Sequence, residues 1–218
     1  MPQLLYFDLR GRADAIRALL YVADVEFEDK RVTFEEWGAL KAEQPFGQIP
    51  VWRDGDLVLA QSGAITRHLA RKYNFYGKDL NESAQVDEAV ESVRDVFDAL
   101  VKVTISAEFD SLKDEFVASL PQKLGPLEKI LARNGGDGFL VGSGISLADF
   151  EAWHLLNNFV APFKKFNEGK SVLGESLQAY LDRVNAVPAI ARFVSEAQSK
   201  IAVPPSFFKF LGDPADFE

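Results

Sequence analysis

The feature that most constrains this 218-residue chain is a change of pattern near residue 74. Before it, short strand-like and helix-like stretches alternate. After it come long amphipathic runs without a convincing strand. The expected fold class is therefore α/β followed by all-α, as two parts of different layer architecture. Charge shifts at the same place: residues 1–74 carry 10 basic and 11 acidic side chains, residues 75–218 carry 14 and 22. The stretch NFYGKDLNE between them is polar and turn-forming and reads as a linker. The expected division is a first domain over 1–74, a linker over 75–82 and a helical domain over 83–218.

Within the first part, a short apolar strand is predicted over 4–8. Ile16, Leu19, Leu20 and Ala23 have helical spacing, which predicts a helix over 13–23. Residues 26–32 read as a charged edge strand and 34–40 as a short helix. Ile49-Pro50-Val51-Trp52 begins a strand, Asp54-Gly55-Asp56 turns it, and Val58-Leu59-Ala60 returns. An Asp-Gly pair suits such a turn because it tolerates positive φ. Residues 62–73 form a helix with Ile65, Leu69 and Tyr73 on one face. The order β-α-β-α-β-β-α fits a thioredoxin-like layer, a small mixed sheet covered by helices on both faces. In the second part, helices are predicted at about 83–109, 111–133, 147–163, 173–186 and 188–199. Ser146-Leu147-Ala148-Asp149 fits a capping box, Ser146 accepting from the Asp149 N–H and Asp149 reaching back. The tail beyond Ile201, with Pro204, Pro205, Phe207, Phe208, Phe210 and Phe217, is too apolar to be free and is expected to pack on the body or over a site.

Composition removes several chemistries. The chain has no Cys, which excludes disulfides, thiolate metal sites, Fe–S clusters and a Cys nucleophile. Its two histidines, His68 and His154, are far apart and make no multi-histidine metal site; both read as structural. No metal is expected. A net charge of −9 argues against nucleic-acid binding, which needs a basic stripe. No apolar run approaches the roughly 20 residues that span a bilayer. The opening MPQLLYFDLRGR is broken by Asp8 and Arg10 and does not read as a signal peptide. A cytoplasmic protein is expected, with neither membrane nor nucleic acid as partner.

Four local motifs carry a family resemblance. Tyr6-Phe7-Asp8-Leu9-Arg10-Gly11-Arg12-Ala13 resembles the YFxxRGRA signature of the cytosolic glutathione transferases, where strand 1 turns into helix 1. Phe46-Gly47-Gln48-Ile49-Pro50 resembles their FGQxP, Gln61-Ser62 their QS pair at a helix entry, and 146–149 their C-terminal capping box. The resemblance covers roughly residues 2–205, and the four motifs stand in order on the right elements. Tyr6, Tyr76-Gly77-Lys78-Asp79 and Gln48 look pi-like; the contexts Arg10-Gly11-Arg12-Ala13-Asp14 and Pro45-Phe46-Gly47 look equally sigma-like. The segment from Trp37 to Lys41 is shorter than the pi-class norm, and Ile105 stands where pi-class enzymes often place a Tyr facing the second substrate.

The resemblance implies glutathione as co-substrate. A thiol with a pKa of about 8.5 is only a few per cent thiolate at neutral pH, and the thiolate is the nucleophile. A hydrogen-bond donor placed at the sulfur helps, and Tyr6 is the implied donor. Taken alone, Tyr6 would read as a core aromatic of the strand. The first serine is Ser62, so branches of the family that use Ser or Cys at the N-terminal strand are set aside. Arg12 is implied to support thiolate and tyrosine, or else forms an ion pair with Asp14 or Glu36. Gln61 and Ser62, at a helix start, suit the γ-glutamyl carboxylate; Ser62 also reads as an ordinary N-cap. Ile49-Pro50 resembles the family's cis-proline site, whose Ile49 N–H and C=O would pair with the cysteinyl backbone like an added strand. Trp37 and Lys41, one helical turn apart, would meet the glycyl carboxylate, with Gln48 at the same end. They read equally well as a half-buried Trp beside a solvated Lys. Asp95 is implied to reach the γ-glutamyl ammonium from the other subunit; by itself it belongs to an acidic face with Glu91 and Asp98. Phe7, Leu9, Val101, Ile105, Phe207 and Phe208 are the candidates for an apolar wall facing hydrophobic electrophiles.

The resemblance further implies a homodimer in which Phe46 is an aromatic key entering the partner. Arg67 with Arg71 and Asp87 with Glu91 are candidate charged pairs across it. The expected activity is conjugation of the glutathione thiolate to hydrophobic electrophiles, a detoxification reaction. The alternatives are a glutathione-dependent isomerase of the prostaglandin D synthase type and a non-catalytic ligand-binding or crystallin-like relative. An intact Tyr6 and glutathione shell speak against the last.

Overall fold

β1 (Gln3–Phe7) lies inside a four-stranded sheet of order β2-β1-β3-β4 in a computed structural model that describes residues 1–201. Leu4, Leu5 and Tyr6 are its buried residues. α1 (Asp14–Val22) buries Ile16, Leu19 and Leu20, the spacing read from the sequence, and returns the chain so that β2 (Glu28–Val32) runs parallel to β1 with Tyr6 opposite Arg31. A parallel neighbour requires such a crossover. α2 (Phe34–Leu40) begins at a capping box between Thr33 and Glu36 and continues as a 3₁₀ turn, Lys41–Glu43. β3 (Val51–Asp54) pairs antiparallel with β1, Leu4 opposite Trp52, and β4 (Leu57–Ala60) closes the hairpin. Gly55 supplies the positive φ of +59° at its turn. α3 (Ser62–Lys72) buries Ile65, Leu69 and Ala70. Leu5, Val32, Val51 and Ala60 form one core cluster, and Phe7, Leu40 and Ile49 pack against it.

The second unit, Phe75–Val187, is helical. α4 (Leu80–Thr104) starts inside the stretch read as a linker, because Asp79 caps it by accepting from the Glu82 N–H at 2.9 Å. The residues before it are bound into the same unit. The Tyr76 hydroxyl donates to Asp87 at 2.6 Å, and the Leu147 N–H donates to the Phe75 carbonyl at 2.8 Å. α4 ends at Thr104, short of the expected 109, where Ile105 closes it on the Val101 carbonyl. α5 (Phe109–Arg133) follows, with Pro121 and Pro126 inside it. α6 (Leu147–Leu155) opens at the expected capping box of Ser146 and Asp149. The single helix predicted over 147–163 is three pieces: α6, a π-helical turn Leu156–Val160 and a 3₁₀ segment Ala161–Phe166. Pro162, near the start of the last piece, has no N–H to give. α7 (Glu175–Asn185) completes the unit.

α8 (Pro188–Glu196), placed by the sequence in the helical domain, packs against the first unit. Residues 188–201 group with Met1–Asn74 as one unit. The Phe193 ring lies 5.1 Å from that of Tyr21, and Arg192 pairs with Asp24 at 3.2 Å. Amphipathic spacing told that 188–196 is a helix, not which core receives its apolar face. Phe207, Phe208 and the expected packing of the tail lie outside the described residues. Among those described, no helix is long and apolar enough to cross a membrane.

Candidate functional site

Tyr6 is the last buried residue of β1, one before the strand ends at Phe7 and the chain turns toward α1. The Tyr6 side chain is 7% exposed. Its hydroxyl oxygen accepts from the Arg12 backbone N–H at 3.2 Å, across the turn into α1. That bond occupies an oxygen lone pair and leaves the phenolic proton for another acceptor. Burial pushes the phenol above its usual pKa; the Arg12 N–H and the charge of Arg17 pull the other way. The group is therefore protonated at neutral pH, a donor and not a base.

Gly11 is what permits this approach. A Cβ on Gly11 would sit 2.8 Å from the Tyr6 hydroxyl oxygen. The sequence reading assigned Gly11 no such role, since its φ is not the reason for glycine there. The Arg12 side chain is exposed. Of the two ion partners considered for it, Asp14 is buried and paired with Arg17 at 2.9 Å, and Glu36 closes the capping box of α2.

The other candidates from the first unit come from three neighbouring pieces of chain. Phe7, next to Tyr6, stacks on Phe34 with ring centroids 4.5 Å apart and meets Trp37 edge-on at 5.7 Å. This places Trp37, on α2, beside the end of β1. Phe34 was not singled out from the sequence, although it is 52% exposed beside two candidate residues. Leu9 is buried, so its side chain offers little surface to a substrate. Lys41 is exposed at the end of α2, and its stem runs past Gly47: a Cβ there would lie 3.6 Å from the lysine Cε.

The loop before β3 is pinned by Gln44. Its amide donates to the Leu40 carbonyl at 3.0 Å and accepts from Arg53 at 2.9 Å. This buried residue, missed in the sequence reading, carries the chain from α2 to Phe46-Gly47-Gln48. The Ile49–Pro50 bond is cis, as the motif implied. Gln48 is exposed and accepts from the Gln61 side-chain amide at 3.2 Å. Gln61, not Ser62, is the N-cap of α3; Ser62 is the first helical residue. Gln61 takes φ 72° and ψ 113°, outside the ordinary regions for a side-chain-bearing residue. Such strain concentrates at ligand sites, where the surrounding structure holds it. N–H groups in the first turn of a helix have no intrahelical acceptor, so the Gln61–Ser62 corner presents donors and a positive dipole end. The fold thus brings Tyr6, Phe7 and Trp37 together, Lys41 to the loop before Gln48, and Gln48 to Gln61.

Asp95, Val101 and Ile105 lie on α4 in the second unit. Asp95 is on its exposed face with Glu91 and Asp98, Val101 is half-buried and Ile105 is 58% exposed. His154 is packed between Phe97 and Phe159, with its Nδ1 3.2 Å from the Asn158 amide, in line with the structural role expected of it. Phe46 is 67% exposed. Among the described residues, no group of three or more His, Cys, Asp and Glu could hold a metal ion.

Comparison with known proteins agrees with this architecture. Residues 2–71 match the family described as glutathione S-transferase, N-terminal domain, and residues 94–197 match its C-terminal domain. A glutathione S-transferase P of Capra hircus is 37% identical over 202 residues, 89% of this chain and 92% of that one. A glutathione S-transferase of Dirofilaria immitis is 40% identical over 150 residues, 68% of this chain and 72% of that one. The structure of a pi-class glutathione S-transferase of Onchocerca volvulus superposes with a TM-score of 0.84 at 31% identity, covering 95% of this chain and 99% of that one. With a thioredoxin-like sheet unit carrying a buried tyrosine, an all-helical unit, family matches over both and a relative 37% identical over 92% of its own length, the chain belongs to the glutathione S-transferase family.

Proposed function

We propose that Tyr6 is the group that activates glutathione in this transferase, and that the acceptor substrate is a hydrophobic electrophile. The observation that carries this reading is the Arg12 N–H bond to the Tyr6 hydroxyl oxygen, 3.2 Å long. With its oxygen engaged, the phenol has its proton to offer a sulfur. A thiolate beside that donor attacks the electrophilic carbon. A C–S bond forms, the bond to the leaving group breaks, and the leaving group departs with the electron pair. The thiol proton has already gone to solvent.

In this reading, other residues grip the tripeptide. Gln61 and Ser62 receive the γ-glutamyl carboxylate at the start of α3. The Ile49 backbone beside Pro50 pairs with the cysteinyl unit. Trp37, Lys41 and Gln48 meet the glycyl carboxylate. Arg12 adds positive charge at the mouth of the turn. The exposed Phe34 ring stacked on Phe7 offers apolar surface to the second substrate. The protein works as a cytoplasmic homodimer with Phe46 as its key and Asp95 serving the partner's glutathione, and its physiological task is detoxification. The test is a chromogenic assay with an activated aryl chloride and glutathione. Formation of the thioether, lost in Tyr6→Phe, is the expected result. Glutathione-dependent isomerisation without thioether formation would overturn the conjugation reading.

A further inference from the structure

We propose that the hydrogen bond between Gln44 and Arg53 is a positioning clamp. It sets the spacing of Trp37 and Lys41 from Gln48, and so determines how strongly the site prefers glutathione over γ-glutamylcysteine, the same thiol without its glycine. The proposal rests on the assignment of those three residues to the glycyl carboxylate, made above. Gln44 touches no substrate in this reading; it acts through the chain on either side of it. α2, which carries Trp37, contains no buried residue. It meets the sheet through Leu40, packed on the core cluster, and through Phe34 and Trp37 against Phe7. Segments with few buried apolar contacts open most readily, so whatever fixes the end of such a helix bears on the residues the helix carries.

Gln44, 7% exposed, does this with both its main chain and its side chain. Its N–H donates to the Lys41 carbonyl at 3.2 Å and closes the 3₁₀ turn. In a continued α-helix that N–H would have served the Leu40 carbonyl. The Gln44 side-chain amide serves it instead, at 3.0 Å. The Oε1 of the same amide accepts from Arg53 Nη2 at 2.9 Å. Arg53 stands two residues after Val51 on β3, hence on the sheet face of the core cluster against which Leu40 packs. On the other side, the Gln44 carbonyl accepts from the Gly47 N–H at 3.0 Å, and Gly47 takes a φ of +57° as the chain turns toward Gln48. Gln44 itself is extended, with ψ 148°, as suits the residue before Pro45. One side chain thus joins the end of α2 to β3, between Lys41 and Gln48. A carboxylate gripped by donors from two segments is held well only while their separation is kept. The γ-glutamyl and cysteinyl parts do not depend on it, because their partners stand at the start of α3 and at Ile49, which packs on the core cluster in its own right.

The experiment measures the dissociation constants of glutathione and γ-glutamylcysteine by calorimetry in the full-length protein, together with kcat and KM for glutathione against an aryl chloride. Gln44→Met keeps the length of the side chain and loses both of its hydrogen bonds. It is expected to weaken glutathione about tenfold and to leave γ-glutamylcysteine little changed. KM for glutathione rises with it, while kcat at saturation holds. Arg53→Met breaks the clamp from the other side and is expected to narrow the preference likewise. The double variant is expected to be no worse than Gln44→Met, because both changes remove one contact. Equal weakening of the two ligands, or of neither, in folded variants overturns the proposal, as do additive losses in the double variant or a fall in kcat at saturation. Where a thermal melt shows that Gln44→Met does not fold, Arg53→Met, at a half-buried position, decides alone. Lys41→Ala tests the underlying assignment and should also narrow the preference. If it leaves the preference intact, the glycyl assignment fails and the clamp with it. A preference that depends on Lys41 but not on Gln44 or Arg53 rejects the clamp alone.

Discussion

The Arg12 backbone N–H donates to the Tyr6 hydroxyl oxygen across 3.2 Å, six residues on in the chain, and Gly11 between them leaves the room for it. Two backbone facts, a strand end and a tight turn, thereby orient one phenol. The oxygen accepts from the backbone, and the phenolic proton is left for another acceptor. Burial raises the pKa of this phenol, so the hydroxyl keeps its proton throughout the range in which a thiol ionises.

Tyr6→Phe is expected to lower kcat by about 10²–10³-fold, the range for loss of one oxyanion-type donor. Because Tyr6 has a raised pKa, the rise of activity with pH belongs to the thiol. In the Phe variant that rise should move toward the free-thiol value of about 8.5. Equal activity of the two proteins at pH 6.5 would sink the assignment.

Gly11→Ala places a methyl group where the Tyr6 hydroxyl oxygen lies 2.8 Å away. Either the phenol or the turn must move. Overpacking of this sort costs about 1–3 kcal/mol, and the displaced hydroxyl should lower kcat as well. Thermal melts and steady-state kinetics on one preparation check both; full activity in the Ala variant would show that the close approach is dispensable.

Ser62→Ala removes a hydroxyl at the first helical position of α3, next to the strained Gln61. Its proposed partner is a part of glutathione that does not react, so KM for glutathione should rise while kcat at saturation holds. The reverse pattern, kcat collapsing at constant KM, would place Ser62 in the chemistry instead.

Asp149 is fully buried and gathers four donors: the Ser146 N–H at 2.8 Å, the Ser146 hydroxyl, the Leu140 N–H and the Tyr180 hydroxyl at 2.9 Å each. Asp149→Ala leaves several of them without their acceptor, at about 1–3 kcal/mol for each buried unsatisfied group. We expect a loss of at least about 3 kcal/mol in denaturant unfolding. A cost near zero would mean that water or a rearranged loop replaces the carboxylate.

Phe46→Ala should leave the fold intact, since the ring is largely exposed within the chain, yet loosen self-association. Sedimentation across a dilution series reads this directly. A fully active wild-type monomer at every concentration would reject the dimer and the role of Phe46 together.

The candidate residues that could be read from the sequence are those whose signals are local. Tyr6 and the turn after it, the Ile49-Pro50 corner and the Gln61-Ser62 helix entry are short runs whose residue types dictate backbone geometry. Helical spacing put Trp37 and Lys41 one turn apart, and the family resemblance alone gave them a role. Phe34 and Gln44 escaped because nothing in their own neighbourhood marks them. Phe34 matters through its stacking on Phe7, and Gln44 through hydrogen bonds to Leu40 and Arg53.

The sequence by itself determined the order of strands and helices, the hairpin at Gly55 and the capping box of Ser146 and Asp149. Each depends on periodicity or on hydrogen bonds closed within a few residues. The tertiary structure decided what those elements meet. It set α8 against α1 with the unit that begins the chain, joined Gln198 to Asp14 across 184 residues, and aimed the Arg17 guanidinium at the Tyr6 ring. It also broke the helix predicted from 147 into α, π and 3₁₀ pieces. An apolar stripe states that a face must be buried, but many faces could receive it. The choice is made by packing and by the pairing of buried polar groups, which involve residues far apart in the chain.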